Sequence, residues 1–216
     1  MEATNEITAI RSRRGSKRRE IELDGSPWCA VPLPVLNALA IASGDVVDPD
    51  DITARIAELE PTAARERAIR LLAYRDRSQS EMRARLSEDG YTQQTVDATL
   101  DWLLDTGLLD DERFAEQLAR TLVIGRHYGR TRSLQKLRRA GLSDDDALQA
   151  LDEIAPPESE RERAVTLARS LYRGGDSVDR LAARLVRRGF APADALSSAR
   201  IILEATGAVD SLDDYN

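Results

Sequence analysis

From Pro61 onward the apolar positions recur at intervals of three and four residues, the spacing of one face of an α-helix. Three long stripes stand out: Ala64, Ala68, Leu71 and Leu72; Phe114, Leu118 and Leu122 with Ala115 and Ala119 beside them; and Ala164, Ala168 and Leu171. Three more follow them: Val96, Leu100, Leu103 and Leu104; Ala147, Leu151 and Ile154; and Ala195, Ala199 and Ile202. Before Pro61 the pattern is different. Segments 20–23 and 28–31 flank Asp24 and Gly25, a dipeptide that supplies the positive φ of a tight turn, and predict a short hairpin. Pro34 opens a helix over 35–42 that Gly44 stops, and Asp48 with Pro49 forms the cap and first turn of another, running to about Glu60.

Between each pair of long stripes lies a short segment ending on glycine, and these segments align. Leu86, Leu137 and Leu185 each stand four residues before a glycine, and Tyr91, Leu142 or Phe190 follows it. Glycine at a helix end takes the left-handed conformation cheaply, and the next apolar side chain folds back on the last turn. Thr92, Ser143 and Pro192 then open the following helix. Ser78 with Glu81, and Ser159 with Glu162, have capping-box spacing. The product is a tandem of three-helix units of about 50 residues, each too small to hide its own apolar face, so that neighbours stack. The predicted fold class is all-α, an elongated and curved array of three-helix repeats at 61–107, 108–155 and 156–207, behind a small mixed α/β module at 20–60. Phe114 and Leu118 are expected to lock the first repeat to the second.

Composition agrees with helices: 42% hydrophobic, 32% charged and only 4% aromatic. One cysteine, Cys29, rules out an internal disulfide, and no apolar run approaches the roughly 18 residues of a membrane span. The expectation is a cytoplasmic monomer with no membrane association. Net charge is -7, but its distribution matters more than its sum. Residues 11–19, RSRRGSKRR, hold six bases and no acid, which predicts that 1–19 is a disordered basic arm, either a solvated tail or a binding arm; 208–216 is an acidic tail.

Between Arg126 and Arg139 six bases again stand without an acid. Arg132, Lys136 and Arg139 share a helix face, with Arg126, Arg130 and Arg138 nearby, opposite Leu134 and Leu137. The third repeat does the same with Arg180, Arg184, Arg187 and Arg188 around Leu181 and Leu185. In the first, Arg83 and Arg85 are offset by Glu81, Glu88 and Asp89. One charged helix face is ordinarily just solvated, but its recurrence in two units points to a polyanion partner. Tyr128 is either a packing residue or a ring for base stacking.

Catalytic and cofactor signatures are missing. There is no phosphate-binding glycine loop, and His127 and Cys29 are single, so neither a zinc site nor a histidine-based triad has enough members. Asp110, Asp111 and 144–146 sit at helix starts, where capping and the helix dipole explain them. No enzyme, metal or cofactor is expected.

The segment LLDDERFA at 108–115, Ser78-Gln-Ser-Glu81, the leucine-to-glycine spacing at Leu86/Gly90 and Leu137/Gly141, and Arg-Arg-Gly-Phe at 187–190 together resemble the RecX family of recombination regulators, over roughly 63–205. The hairpin and the Leu-Ala-Ile-Ala-Ser-Gly at 39–44 look like the front module of longer members. The resemblance implies tandem three-helix repeats that bind the RecA recombinase as a filament on single-stranded DNA. It further implies restraint of strand exchange and ATP hydrolysis, with effects on DNA repair and the SOS response; any ATP would belong to the partner. A helix-turn-helix transcriptional regulator and an adaptor that binds protein alone are the other two readings.

Overall fold

The computed structural model describes residues 4–12 and 15–206. Four strands, β1 (Asn5–Ser12), β2 (Arg18–Leu23), β3 (Ser26–Pro32) and β4 (Val46–Val47), form an antiparallel sheet in the order β3-β2-β1-β4. The predicted hairpin is β2–β3, turning where Asp24 and Gly25 both take positive φ, 49° and 79°. Helix α1 (Leu33–Leu39) ends at Ala40 in the left-handed region, short of 42.

Two expectations fail in this part of the chain. The segment 1–19 is not simply an arm, because 5–12 and 18–19 belong to strands. A strand needs only one apolar face, and Ile7, Ile21 and Leu23, all buried, supply it. The helix starting at Pro49 does not stop near Glu60 either: α2 runs from Pro49 to Tyr74, through Pro61. Proline removes one backbone hydrogen bond, but this helix is held on both sides of it. Ile52 is buried in the sheet's core, Ala64, Ala68 and Leu71 in the next one, and Ala63 packs against both. The first three-helix repeat is thus this helix with α3 (Gln79–Glu88) and α4 (Gln93–Asp105).

The second repeat comprises α5 (Asp111–Arg120), α6 (Arg130–Arg139) and α7 (Asp144–Ile154), and the third α8 (Glu160–Leu171), α9 (Val178–Arg187) and α10 (Pro192–Ala205). The chain divides into two compact units, Met1–Asp110 and Asp111–Asn216. Phe114 and Leu118 lie partly buried against the second repeat's own core rather than at its centre, which Ala115, Ala119, Leu137 and Leu151 occupy. A five-residue π-helical turn, Thr121–Gly125, extends α5. The acidic tail lies outside the described residues.

The glycine turns close as their spacing requires. Tyr91, Leu142 and Phe190 donate their amides to the carbonyls of Leu86, Leu137 and Leu185 at 3.3, 3.4 and 3.3 Å, and all six side chains are buried. Ser78 and Ser143 cap α3 and α7 by accepting from the Glu81 and Asp146 amides, each at 3.1 Å. Ser159 does not cap α8. Pro157 starts a 3₁₀ turn ahead of it, so Ser159 is already helical and its hydroxyl donates back to the Pro156 carbonyl. Leu86→Ala and Leu137→Ala, each removing a fully buried side chain, should each cost about 2–5 kcal/mol in denaturant unfolding.

Candidate polyanion-binding surface

The surface is built where the second repeat meets the third. The first amides of a helix have no intrahelical partner. At α6 they are met by the third repeat: Arg130 N–H donates to Glu160 Oε1 at 2.8 Å and Thr131 N–H to the Gly189 carbonyl at 3.1 Å. Gly129 N–H donates to the Arg188 carbonyl at 2.9 Å. The basic helix α6 therefore starts on the glycine turn that ends the basic helix α9. The approach is close enough that a β-carbon on Gly129 would collide with the backbone of Gly189 and Phe190. Gly189 itself has φ +93° and faces Arg132.

Around this joint, Arg163 donates to Glu160 Oε2 at 2.8 Å and to the Tyr128 carbonyl at 2.6 Å, and stands over the Phe190 ring. Burial pulls the Arg163 guanidinium below its ordinary value, against the attraction of Glu160. The Tyr128 ring is faced by Arg132 at 4.5 Å and Arg188 at 5.9 Å, so it packs on arginine and is not a bare platform for a base.

Of the ten cations singled out in the sequence, three are spent on carboxylates. Arg130 pairs with Asp152 at 2.5 Å and Arg138 holds Asp144 through two bonds of 2.6 and 3.1 Å. Arg184 pairs with Asp176, which hydrogen bonding from Arg184 and from the Arg173 amide holds below the ordinary carboxylate range. The offsetting acids lie in the loops and neighbouring helices, beyond the reach of counting along one helix face. Arg180 is exposed on the first turn of α9 and lines neither cleft described next.

The remaining six come together. A 230 Å³ cleft is lined by Arg132, Lys136, Arg139 and Arg187, with Thr131 and Gln135. An adjoining 490 Å³ cleft, also touched by Arg132 and Arg187, adds Arg126, Tyr128 and Arg188, and the Asp176-paired Arg184 lines it as well. Among the described residues no carboxylate lines either. Arg132 donates to the Arg187 carbonyl at 2.5 Å and Arg188 to the Arg126 carbonyl at 3.0 Å, fixing the two helices' cations side by side. In the first repeat, by contrast, Arg83 is paired with Asp97 and Arg85 with Glu88. Glu160, Arg163 and Gly129 escape a reading of the sequence. Only Gly129, just before the basic helix α6, offers a local signal.

Two family models match the chain, the first three-helix domain of RecX over residues 64–103 and the second over 110–151. Regulatory protein RecX of Mycobacterium sp. (strain KMS) is 36% identical over 138 residues, covering 59% of this chain and 75% of the relative. The chain belongs to the RecX family. Regulatory protein RecX of Mycolicibacterium smegmatis is 32% identical over 157 residues, 66% of this chain and 83% of that one. A crystal structure of regulatory protein RecX superposes with a TM-score of 0.58 at 26% identity, covering 93% of this chain and 99% of the other. RecX from Lactobacillus salivarius, at 20% identity and a TM-score of 0.59 over 66% of this chain and 96% of that one, shares the fold. RecX proteins are regulators and not enzymes. No helix among the described residues is long and apolar enough to cross a membrane.

Gly129→Ala adds one methyl into the joint without backbone strain, since Gly129 has φ −71°. It should lower unfolding stability by about 1–3 kcal/mol, the usual cost of overpacking. Gly125→Ala, where the added carbon meets nothing within 4 Å, should leave it nearly unchanged.

Proposed function

We propose that this RecX-family chain binds the filament of RecA recombinase on single-stranded DNA and restrains its strand exchange and ATP hydrolysis, so modulating DNA repair and the SOS response. The observation that carries the reading is the pair of clefts at the joint of α6 and α9, lined by seven cations, of which Arg184 is paired with Asp176, and by no carboxylate among the described residues, on a chain of net charge -7. Free arginines and lysines at fixed spacing suit a polyanionic assembly, whether the bound strand or an acidic groove of the recombinase. Contacts of this kind carry little sequence information, so selectivity rests on the protein part of the filament. ATP enters only through the partner.

The helix-turn-helix alternative gains nothing from this geometry. Recognition helices address bases with their N-terminal residues, and at α6 that end is occupied by Glu160 and Gly189.

Lys136, Arg139 and Arg187 are exposed and hold no carboxylate among the described residues. Their combined replacement by Glu should abolish inhibition of RecA strand exchange while the helical circular-dichroism signal is kept. Arg138→Ala, which removes a residue already engaged by Asp144, should leave inhibition within about twofold, as surface pairs contribute little. Full inhibition by the triple variant would refute the assignment.

A further inference from the structure

The first unit carries a cationic cleft of its own that the recombinase reading leaves unused. It has a volume of 430 Å³ and lies between the connection of β1 to β2 and the middle of α2. Four cations line it, Lys17 and Arg19 from the hairpin side and Arg67 and Arg70 from α2, against one carboxylate, Asp89. Asp89 is shared: Lys17 Nζ meets one of its oxygens at 2.7 Å and Arg67 Nε the other at 2.6 Å. Burial pushes that carboxyl up, but the bonds from Lys17 and Arg67 prevail and keep it below its ordinary value, so it stays charged at neutral pH. Among the described residues Arg70 makes a 3.4 Å pair with Glu66 between two well-exposed side chains, and Arg19 a 3.5 Å contact to the Arg18 carbonyl. Four positive charges against one negative leave the cleft strongly cationic.

Its walls are held in place before any ligand arrives. Arg18 donates to the Gly90 carbonyl at 2.7 Å and to the Ala30 carbonyl at 3.1 Å, fastening the hairpin to the glycine turn that ends α3. The Lys17–Asp89–Arg67 clasp does the same alongside. Besides its cations the cleft offers the hydroxyls of Ser12 and Ser16 and an apolar floor of Leu33, Pro34 and Tyr91. Tyr91 is kept there by donating its hydroxyl to the Ala63 carbonyl at 3.1 Å.

We propose that this cleft binds a backbone phosphate of single-stranded nucleic acid, with the attached sugar or base resting on the apolar floor. Guanidinium forks from three arginines, an ammonium and two hydroxyls supply more donors than a planar carboxylate can accept, and a tetrahedral phosphate uses them. A floor without hydrogen-bonding demands suits any base, so the site adds affinity without sequence preference. It belongs to the first unit and stands whether or not the clefts of the second unit meet the filament.

The test is fluorescence anisotropy of a labelled oligothymidylate with the full chain, without RecA, across a salt series. Arg19→Glu with Arg70→Glu should weaken binding at least tenfold and lower the log–log salt slope, by about 0.7 for each phosphate that is no longer neutralised. Arg70→Glu alone, at a side chain 57% exposed and outside any core, should give part of that effect with the fold unchanged. Asp89→Asn removes the opposing charge and should tighten binding. Unchanged affinity and slope in both Glu variants would overturn the proposal. So would loss of RecA capture with oligothymidylate binding intact, which would assign the cleft to an acidic protein surface. The triple variant of the second unit, run in parallel, separates the two sites: a failure of its strand-exchange result leaves the Arg19 and Arg70 result standing.

Discussion

The carbonyls left over at the end of a short helix are the constraint on which this molecule is built. A helix that stops leaves its last carbonyls without intrahelical donors, and burying them unpaired is costly. Each repeat solves part of the problem internally, with the apolar residue after the glycine closing the turn. The remaining acceptors are offered outward. The Gly90 carbonyl takes the guanidinium of Arg18, and the carbonyls of Arg188 and Gly189 take the amides of Gly129 and Thr131. The same kind of turn therefore fastens the sheet to the first repeat and the second repeat to the third. Buried acids complete both joints, Glu60 accepting the Thr92 amide at 2.7 Å and Glu160 the Arg130 amide at 2.8 Å.

Charge is sorted by these joints. Where an arginine faces a neighbouring helix or loop, a carboxylate has been placed to meet it, as with Arg130 and Asp152, Arg138 and Asp144, or Arg83 and Asp97. Where two middle helices abut end to end, the acid at the junction, Glu160, is taken up by the Arg130 amide and Arg163, and no carboxylate among the described residues lines the clefts beside it. The cations left there are held by carbonyl oxygens and a tyrosine ring, which fix their positions without cancelling their charge. An acidic chain can thereby keep strongly basic local fields.

Much of the fold is legible in the sequence because it is local. Leucine, glycine and apolar residue at fixed spacing specify a helix end wherever they occur, and the stripes around Leu86, Leu137 and Leu185 identify which faces are buried. The points where sequence and structure part share a cause. Spacing alone makes Ser159 a cap, but Pro157 has already begun the helix by a different turn. The segment containing Arg18 resembles a free tail because its charge density conceals the start of a strand whose inward positions, Ile21 and Leu23, come after it, with the buried Ile7 on the partner strand. Pro61 resembles a boundary because the packing that carries α2 through it comes from two separate cores.

The sequence by itself determined which segments are helical, where each middle helix ends, and that two of those helices are rich in cations. Those properties depend on residues within one or two turns of each other. Only the tertiary structure decided which cations remain available, since Arg130 and Asp152, or Arg184 and Asp176, lie 22 and 8 residues apart and meet only through packing. It also decided that Gly129 and Gly189, 60 residues apart, share one joint. Neutralisation and close backbone approach are matters of distance in space, and periodicity along a chain carries no information about either.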